Sequence, residues 1–232
     1  MTESLPAAVL WDMDGTIVDT EPYWMRTEHD IVESFGGTWT EEAAQTLIGS
    51  GLDRSAGILQ EFGVDLPSDV IINRMSDAVM AQISVNVPWR PGALELLTAL
   101  HEAGVPQALV TMSIGRMARH VADHIPFEPF SAIVSADDVE NSKPHPEAYL
   151  LAAALLGVDI EQCVAIEDSV TGVTSAVASG AAVIGVEHLL NLDDAGARHV
   201  WQTLDGRTPA DLAAVLAEVR SAHSPVTTGE HS

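Results

Sequence analysis

The chain has 232 residues, with 34 Asp and Glu against ten Lys and Arg, and a formal net charge of −24. So acidic a surface repels polyphosphate backbones and anionic lipid, which excludes nucleic acid and membranes as expected partners. The length supports a sizeable core without disulfide or structural metal.

The only cysteine, Cys163, stands in an apolar run at 163–166 and reads as a core residue. No stretch reaches the roughly 18 apolar residues of a membrane helix. The N-terminus carries Glu3 and no basic residue, unlike a signal peptide, so a cytoplasmic location is expected, with a monomer as the default state.

In chain order, residues 7–11 read as a short buried strand. From 19 to 88 the patterns are helical only, over 23–35, 41–47, 54–62 and 69–83, with Asp53 and Ser68 as N-caps of the last two. Strands and helices then alternate. A helix at 91–103 takes Pro91 in its first turn and ends at Gly104; a strand follows at 105–111 and a helix at 114–125. A strand at 132–135 precedes a helix at 146–156 that Gly157 stops. A strand at 163–166, a helix at 170–179 and a strand at 182–186 complete the series. Alternation of this kind makes right-handed crossovers and a parallel sheet covered on both faces. The division expected is a core of residues 1–18 and 89–222, a helical insertion at 19–88 and a flexible tail at 223–232.

The chemistry concentrates at strand ends. Asp12-Met13-Asp14-Gly15-Thr16 follows the first strand, at the sheet edge where ligands of open α/β folds bind. Gly15 permits a turn between the two carboxylates. Glu167-Asp168-Ser169 ends a second strand. Should the two strands be neighbours, Asp12 and Asp168 converge, and a hard divalent cation with oxygen ligands, naturally Mg²⁺, relieves their repulsion. Thr111 ends another strand before Met112-Ser113 and a helix start, where hydroxyls and free amides suit a phosphoryl oxygen. Lys143 is the chain's only lysine, held between Ser142 and Pro144-His145-Pro146, and a point charge fixed there can neutralise carboxylates and grip a phosphoryl group.

These motifs in this order, over roughly residues 7–190, resemble the haloacid dehalogenase superfamily, and the helical insertion resembles its cap-bearing phosphatase and β-phosphoglucomutase-like branch. The resemblance implies a Rossmann-like, five-stranded parallel core of order 5-4-1-2-3. It makes Asp12 the nucleophile and Asp14 the acid and base. Mg²⁺ would be held by the Asp12 carboxylate, the Asp14 carbonyl and Asp168, with Glu167 behind them or acting through water. Thr111, Ser113, Lys143 and the amides of Met13 and Asp14 would bind the phosphoryl group.

The activity implied is a Mg²⁺-dependent phosphatase acting on a small organic phosphate of the sugar type by way of an aspartyl phosphate. The acid at Asp14 argues against dehalogenases, and an insertion without lysine argues against phosphonate-cleaving relatives. Two alternatives stand beside it: a β-phosphoglucomutase-like mutase, and a non-enzymatic regulator phosphorylated on Asp12. The mutases resembled carry a histidine where this chain has Trp24, and an arginine near the Gly49-Ser50-Gly51 loop, where Leu52 falls nearest and Arg54 lies two beyond. Trp24, Gly49, Gly51 and Arg54 are the candidates for substrate specificity. Trp39 reads as core, Ser169 and Gly172 as helix-start residues, and Arg116, Arg119, His120 and His124 as a solvated helix face.

Overall fold

Short apolar runs bounded by glycines and turns form β1 (Ala8–Trp11), β2 (Gln107–Val110), β3 (Ala132–Val134), β4 (Cys163–Glu167), β5 (Ala182–Val186) and β6 (His199–Trp201). The computed structural model describes residues 4–48, 50–192 and 195–223. The helices are α1 (Glu21–Ser34), α2 (Glu41–Gln45), α3 (Leu52–Glu61), α4 (Ser68–Val85), α5 (Ala93–Glu102), α6 (Gly115–Ala122), α7 (Glu147–Leu156), α8 (Val170–Ser179) and α9 (Pro209–His223).

The strands pair in parallel throughout, in the order β3-β2-β1-β4-β5-β6. Read from the other edge, the first five strands keep the expected succession, but a sixth strand extends the sheet beyond β5, which corrects the five-stranded expectation. β6 is three residues long with only Trp201 fully buried, too short for an alternation signal. α9 likewise follows it without having been expected.

Because side chains alternate across a strand, each central strand feeds two cores. Val9, Trp11, Leu109, Val164, Ile166 and Ile184 face one side, against Leu97, Val121 and Leu212 of α5, α6 and α9. Ala8, Leu10, Ala108, Val110, Ala165 and Val183 face the other, against Tyr149 of α7 and Val173 of α8. Cys163 belongs to this second layer; burial first and Asp159 second push its thiol up to about 11.

Several local boundaries differ from the expectation. Gly92, with φ at +81°, is the residue before α5, so Pro91 lies outside the helix rather than in its first turn. Gly51 and Pro67 occupy the cap positions of α3 and α4, and Asp53 and Ser68 fall just inside the helices with no capping bond made. Asp53 instead places its charge in the first turn, favourable to the helix dipole. Residue 223 closes α9, and residues 224–232, the rest of the expected tail, lie outside the described residues.

Helices α1, α3 and α4 build an apolar cluster of their own from Ile31, Val32, Ala56, Leu59, Ile71 and Met75, joined by Leu47 just after α2. Trp39 packs there edge-on to Phe62, with ring centroids 5.0 Å apart. Two chain crossings join this insertion to the sheet: Asp19 N–H donates to the Pro88 carbonyl at 2.8 Å, and Arg90 N–H to that of Ile17 at 2.9 Å. A third contact is made by side chains. Arg116 of α6 pairs with Asp77 of α4 and donates to the Asn73 carbonyl at 3.1 Å, while His120 Nε2 lies 3.0 Å from Ser84 Oγ. The face of α6 expected to be solvated therefore docks α4. Among the described residues no helix is long and apolar enough to cross a membrane.

Candidate active site

Parallel pairing puts the carboxyl ends of β2, β1 and β4 along one sheet edge, with Trp11 level with both Leu109 and Ile166. Asp12, Thr111 and Asp168 each follow directly on one of these strands or its last residue, so residues distant in sequence meet. Gly15, at φ +83°, turns the chain back after Asp14. A Cβ at Gly15 would overlap the Asp168 carboxylate, so the glycine is required twice, for backbone and for space.

Lys143 reaches in from the loop before α7. Its Nζ donates to Asp12 Oδ1 at 2.7 Å, to Glu167 Oε1 at 2.6 Å and to the Val110 carbonyl at 2.9 Å, using its three protons. The Tyr149 hydroxyl donates to the same Glu167 oxygen at 2.5 Å. Glu167 is wholly buried, and it tolerates burial because Lys143 and Tyr149 donate to one oxygen and the Ser169 hydroxyl, at 3.4 Å, to the other. Ser169 caps α8 by accepting from Gly172 N–H at 3.0 Å, and a Cβ at Gly172 would overlap the Glu167 carboxylate.

Carboxylates outnumber the cation. Burial first and Glu167 second push Asp12 up to about 7, against the lowering effect of Lys143. Burial and then Asp12 raise Asp168 well above the carboxylate range. Burial disfavours the charge on Lys143, but Asp12 and Glu167 outweigh it and its pKa is raised. Asp12, Glu167 and Asp168 each offer an oxygen within 4.8 Å of the others. An all-oxygen, charge-deficient cluster of this kind fits a hard divalent cation.

The Asp14 side chain turns elsewhere. Its Oδ1 accepts from the Thr20 hydroxyl at 2.5 Å and its Oδ2 from the Ser113 hydroxyl at 2.7 Å, with the Thr111 hydroxyl at 3.4 Å. The two hydroxyls expected to meet a phosphoryl group thus point at Asp14. Among the described residues nothing accepts from the backbone N–H groups of Met13 and Asp14, while the Met13 side chain is buried in the core.

A cavity of 390 Å³ opens over Asp12, Asp14, Lys143 and Asp168 and runs up to the helical insertion, which contributes Trp24, Gly51 and Leu52 to its walls. Arg54 is exposed and does not line it, because α3 turns that side chain outward. Gly49 lies outside the described residues. The sequence reading missed Glu21, Glu28 and Ser55, which also line the cavity, and His188 at its rim, whose Nε2 lies 3.0 Å from Asp19 Oδ1. A carboxylate at 28 on the same α1 face as Trp24, one turn on, was the available signal for Glu28.

The chain belongs to the haloacid dehalogenase-like hydrolase family, whose model matches residues 9–186, and to its cap-bearing branch of phosphatases and β-phosphoglucomutase-like enzymes. It is 32% identical over 220 residues to a phosphorylated carbohydrates phosphatase of Thermotoga maritima, covering 91% of this chain and 99% of that one. It is 32% identical over 183 residues to hexitol phosphatase B of Escherichia coli K12, covering 74% and 79%. The fold is similar to that of β-phosphoglucomutase from Clostridium difficile, at a TM-score of 0.79 and 23% identity over 95% of this chain and 100% of that one.

Proposed function

We propose that this chain is a Mg²⁺-dependent phosphomonoester hydrolase for small sugar or polyol phosphates, working through a phosphorylated Asp12. The observation that carries the reading is the Lys143 ammonium bonded to Asp12 and Glu167 beside Asp168, at the floor of a cavity that the insertion roofs. The relatives named as carbohydrate and hexitol phosphatases support the substrate class.

In this reading an Asp12 oxygen attacks phosphorus while the ester P–O bond breaks, and the Asp14 carboxyl gives its proton to the leaving alkoxide. Asp14, now a carboxylate, takes a proton from water as that water attacks the acyl phosphate, and inorganic phosphate leaves with Asp12 restored. Thr20 holds Asp14 in the cavity wall beside Asp12 for both transfers. The free amides of Met13 and Asp14 offer donors to the phosphoryl oxygens, and Lys143 and the hydroxyls of Thr111 and Ser113 would join them by turning from Asp12 and Asp14 when the substrate is seated. Asp12 and Asp168, with the Asp14 carbonyl, would hold Mg²⁺, which neutralises charge on the transferring group. Glu167 holds Lys143 in position from beneath.

A mutase must seat a second phosphate. Among the described residues the only basic side chains in the cavity wall are Lys143, engaged by Asp12 and Glu167, and His188, engaged by Arg90 and Asp19. Hydrolysis is therefore the better reading.

The test is phosphate release from sugar and hexitol phosphates with Mg²⁺ and with a chelator. Asp12→Asn is expected to lower release by at least about 10³-fold while its melting curve stays cooperative. Acid-quenched wild type is expected to carry a phosphate on the peptide containing Asp12. Full activity of Asp12→Asn, or turnover in the chelator, overturns the proposal.

A further inference from the structure

The end of the cavity away from Asp12 contains polar groups with nothing to bind. Glu28 of α1 is 4% exposed and Ser55 of α3 is 5% exposed, and both line the cavity wall. Among the described residues neither side chain has a hydrogen-bond partner, and neither has a fully sealed oxygen left unsatisfied, so their oxygens look into the cavity. An unpaired carboxyl buried to this depth destabilises a fold unless a ligand answers it. Glu21, one α1 face with Glu28, adds a second carboxyl, and Trp24, Leu52 and Ile72 supply apolar wall beside them.

We propose, building on the hydrolase reading above, that Glu28 and Ser55 form the specificity subsite for the hydroxyls of a neutral polyol or sugar tail, and that this subsite discriminates against phosphate esters with a second anionic group. A hydroxyl both donates and accepts, which matches a carboxyl and a serine facing it. The C–H surface of such a tail matches Trp24, Leu52 and Ile72. A carboxylate or second phosphate at the same place loses water and finds no free cation among the described wall residues, whereas a neutral hydroxyl loses little. Burial, reinforced by Glu21, pushes Glu28 up to about 8, which lets it serve as donor or acceptor near neutral pH.

The test compares kcat/KM for sorbitol 6-phosphate, 2-phosphoglycolate and glucose 1,6-bisphosphate with Mg²⁺, in wild type, Glu28→Gln and Ser55→Ala, each checked by thermal melting. Wild type is expected to favour the polyol phosphate over both anionic-tailed esters by about tenfold or more, and each substitution to shrink that ratio several-fold. Equal rates on all three substrates in wild type, or ratios unmoved in both variants, overturn the subsite while leaving the hydrolase reading intact. No release from any of the three, nor from acetyl phosphate, defeats the hydrolase reading itself.

Discussion

Lys143 Nζ lies 2.7 Å from Asp12 Oδ1, across 131 positions of chain, and both groups are nearly buried. The contact exists because β1 and β4 are neighbours and because the loop before α7 crosses above them. Lys143 also spans to Glu167, so one ammonium organises carboxylates from two strands.

Removing that ammonium leaves buried carboxylates uncompensated. Lys143→Met is expected to cost about 3 kcal/mol of stability, read by urea denaturation in metal-free buffer. Phosphate release is expected to fall by about 10²–10³-fold. Lys143→Arg is expected not to restore activity, because a planar guanidinium does not fit between Asp12, Glu167 and the Val110 carbonyl. A stable, active Lys143→Met protein would contradict this account.

The two glycines that touch carboxylates give a separate test. Gly172→Ala places a methyl on the Glu167 carboxylate, and the neighbour is an atom already fixed by Lys143 and Tyr149. A loss of about 1–3 kcal/mol is expected, with lower activity, although alanine favours helix at an ordinary site. Gly57→Ala in α3, where a Cβ meets nothing within 4 Å, is the control and is expected to stabilise slightly.

Glu28 and Glu21 predict how stability varies with pH. Burial first, then neighbouring acids, raise Glu28 from 4.5 to about 8 and Glu21 from 4.5 to about 7. The folded state then binds these protons more tightly than the unfolded chain, so this stabilisation is complete below about pH 4.5 and is lost as pH rises through about 7 to 8. Asp12 and Asp168 act in the same direction. Melting temperature in metal-free buffer is expected to fall over that window, and Glu28→Gln to reduce the fall. An identical pH profile for the variant would argue against it.

Arg116 links α6 to the insertion through Asp77 and Asn73. The pair is partly exposed, so Arg116→Ala is expected to change global stability by less than about 1 kcal/mol. Its effect belongs to docking: faster amide hydrogen exchange in α4 and a KM raised more than kcat is lowered. Unchanged exchange in α4 would show that the contact is ornamental.

The residue order by itself determined the parallel α/β core, the helical insertion after β1, and the positions of Asp12, Asp14, Lys143 and Asp168, because strand ends, glycine turns and a unique lysine are local signals. The tertiary structure alone decided that Glu167 anchors Lys143, that Thr111 and Ser113 bond Asp14, that α6 docks α4, and that Glu28 and Ser55 rather than Arg54 face the cavity. Periodicity tells which side of a helix is inward but not what stands opposite it. A sheet extended by only three residues leaves no periodic trace at all. Partners across a sheet edge or a cavity are set by packing between segments far apart in the chain, and that information is not carried by any one of them.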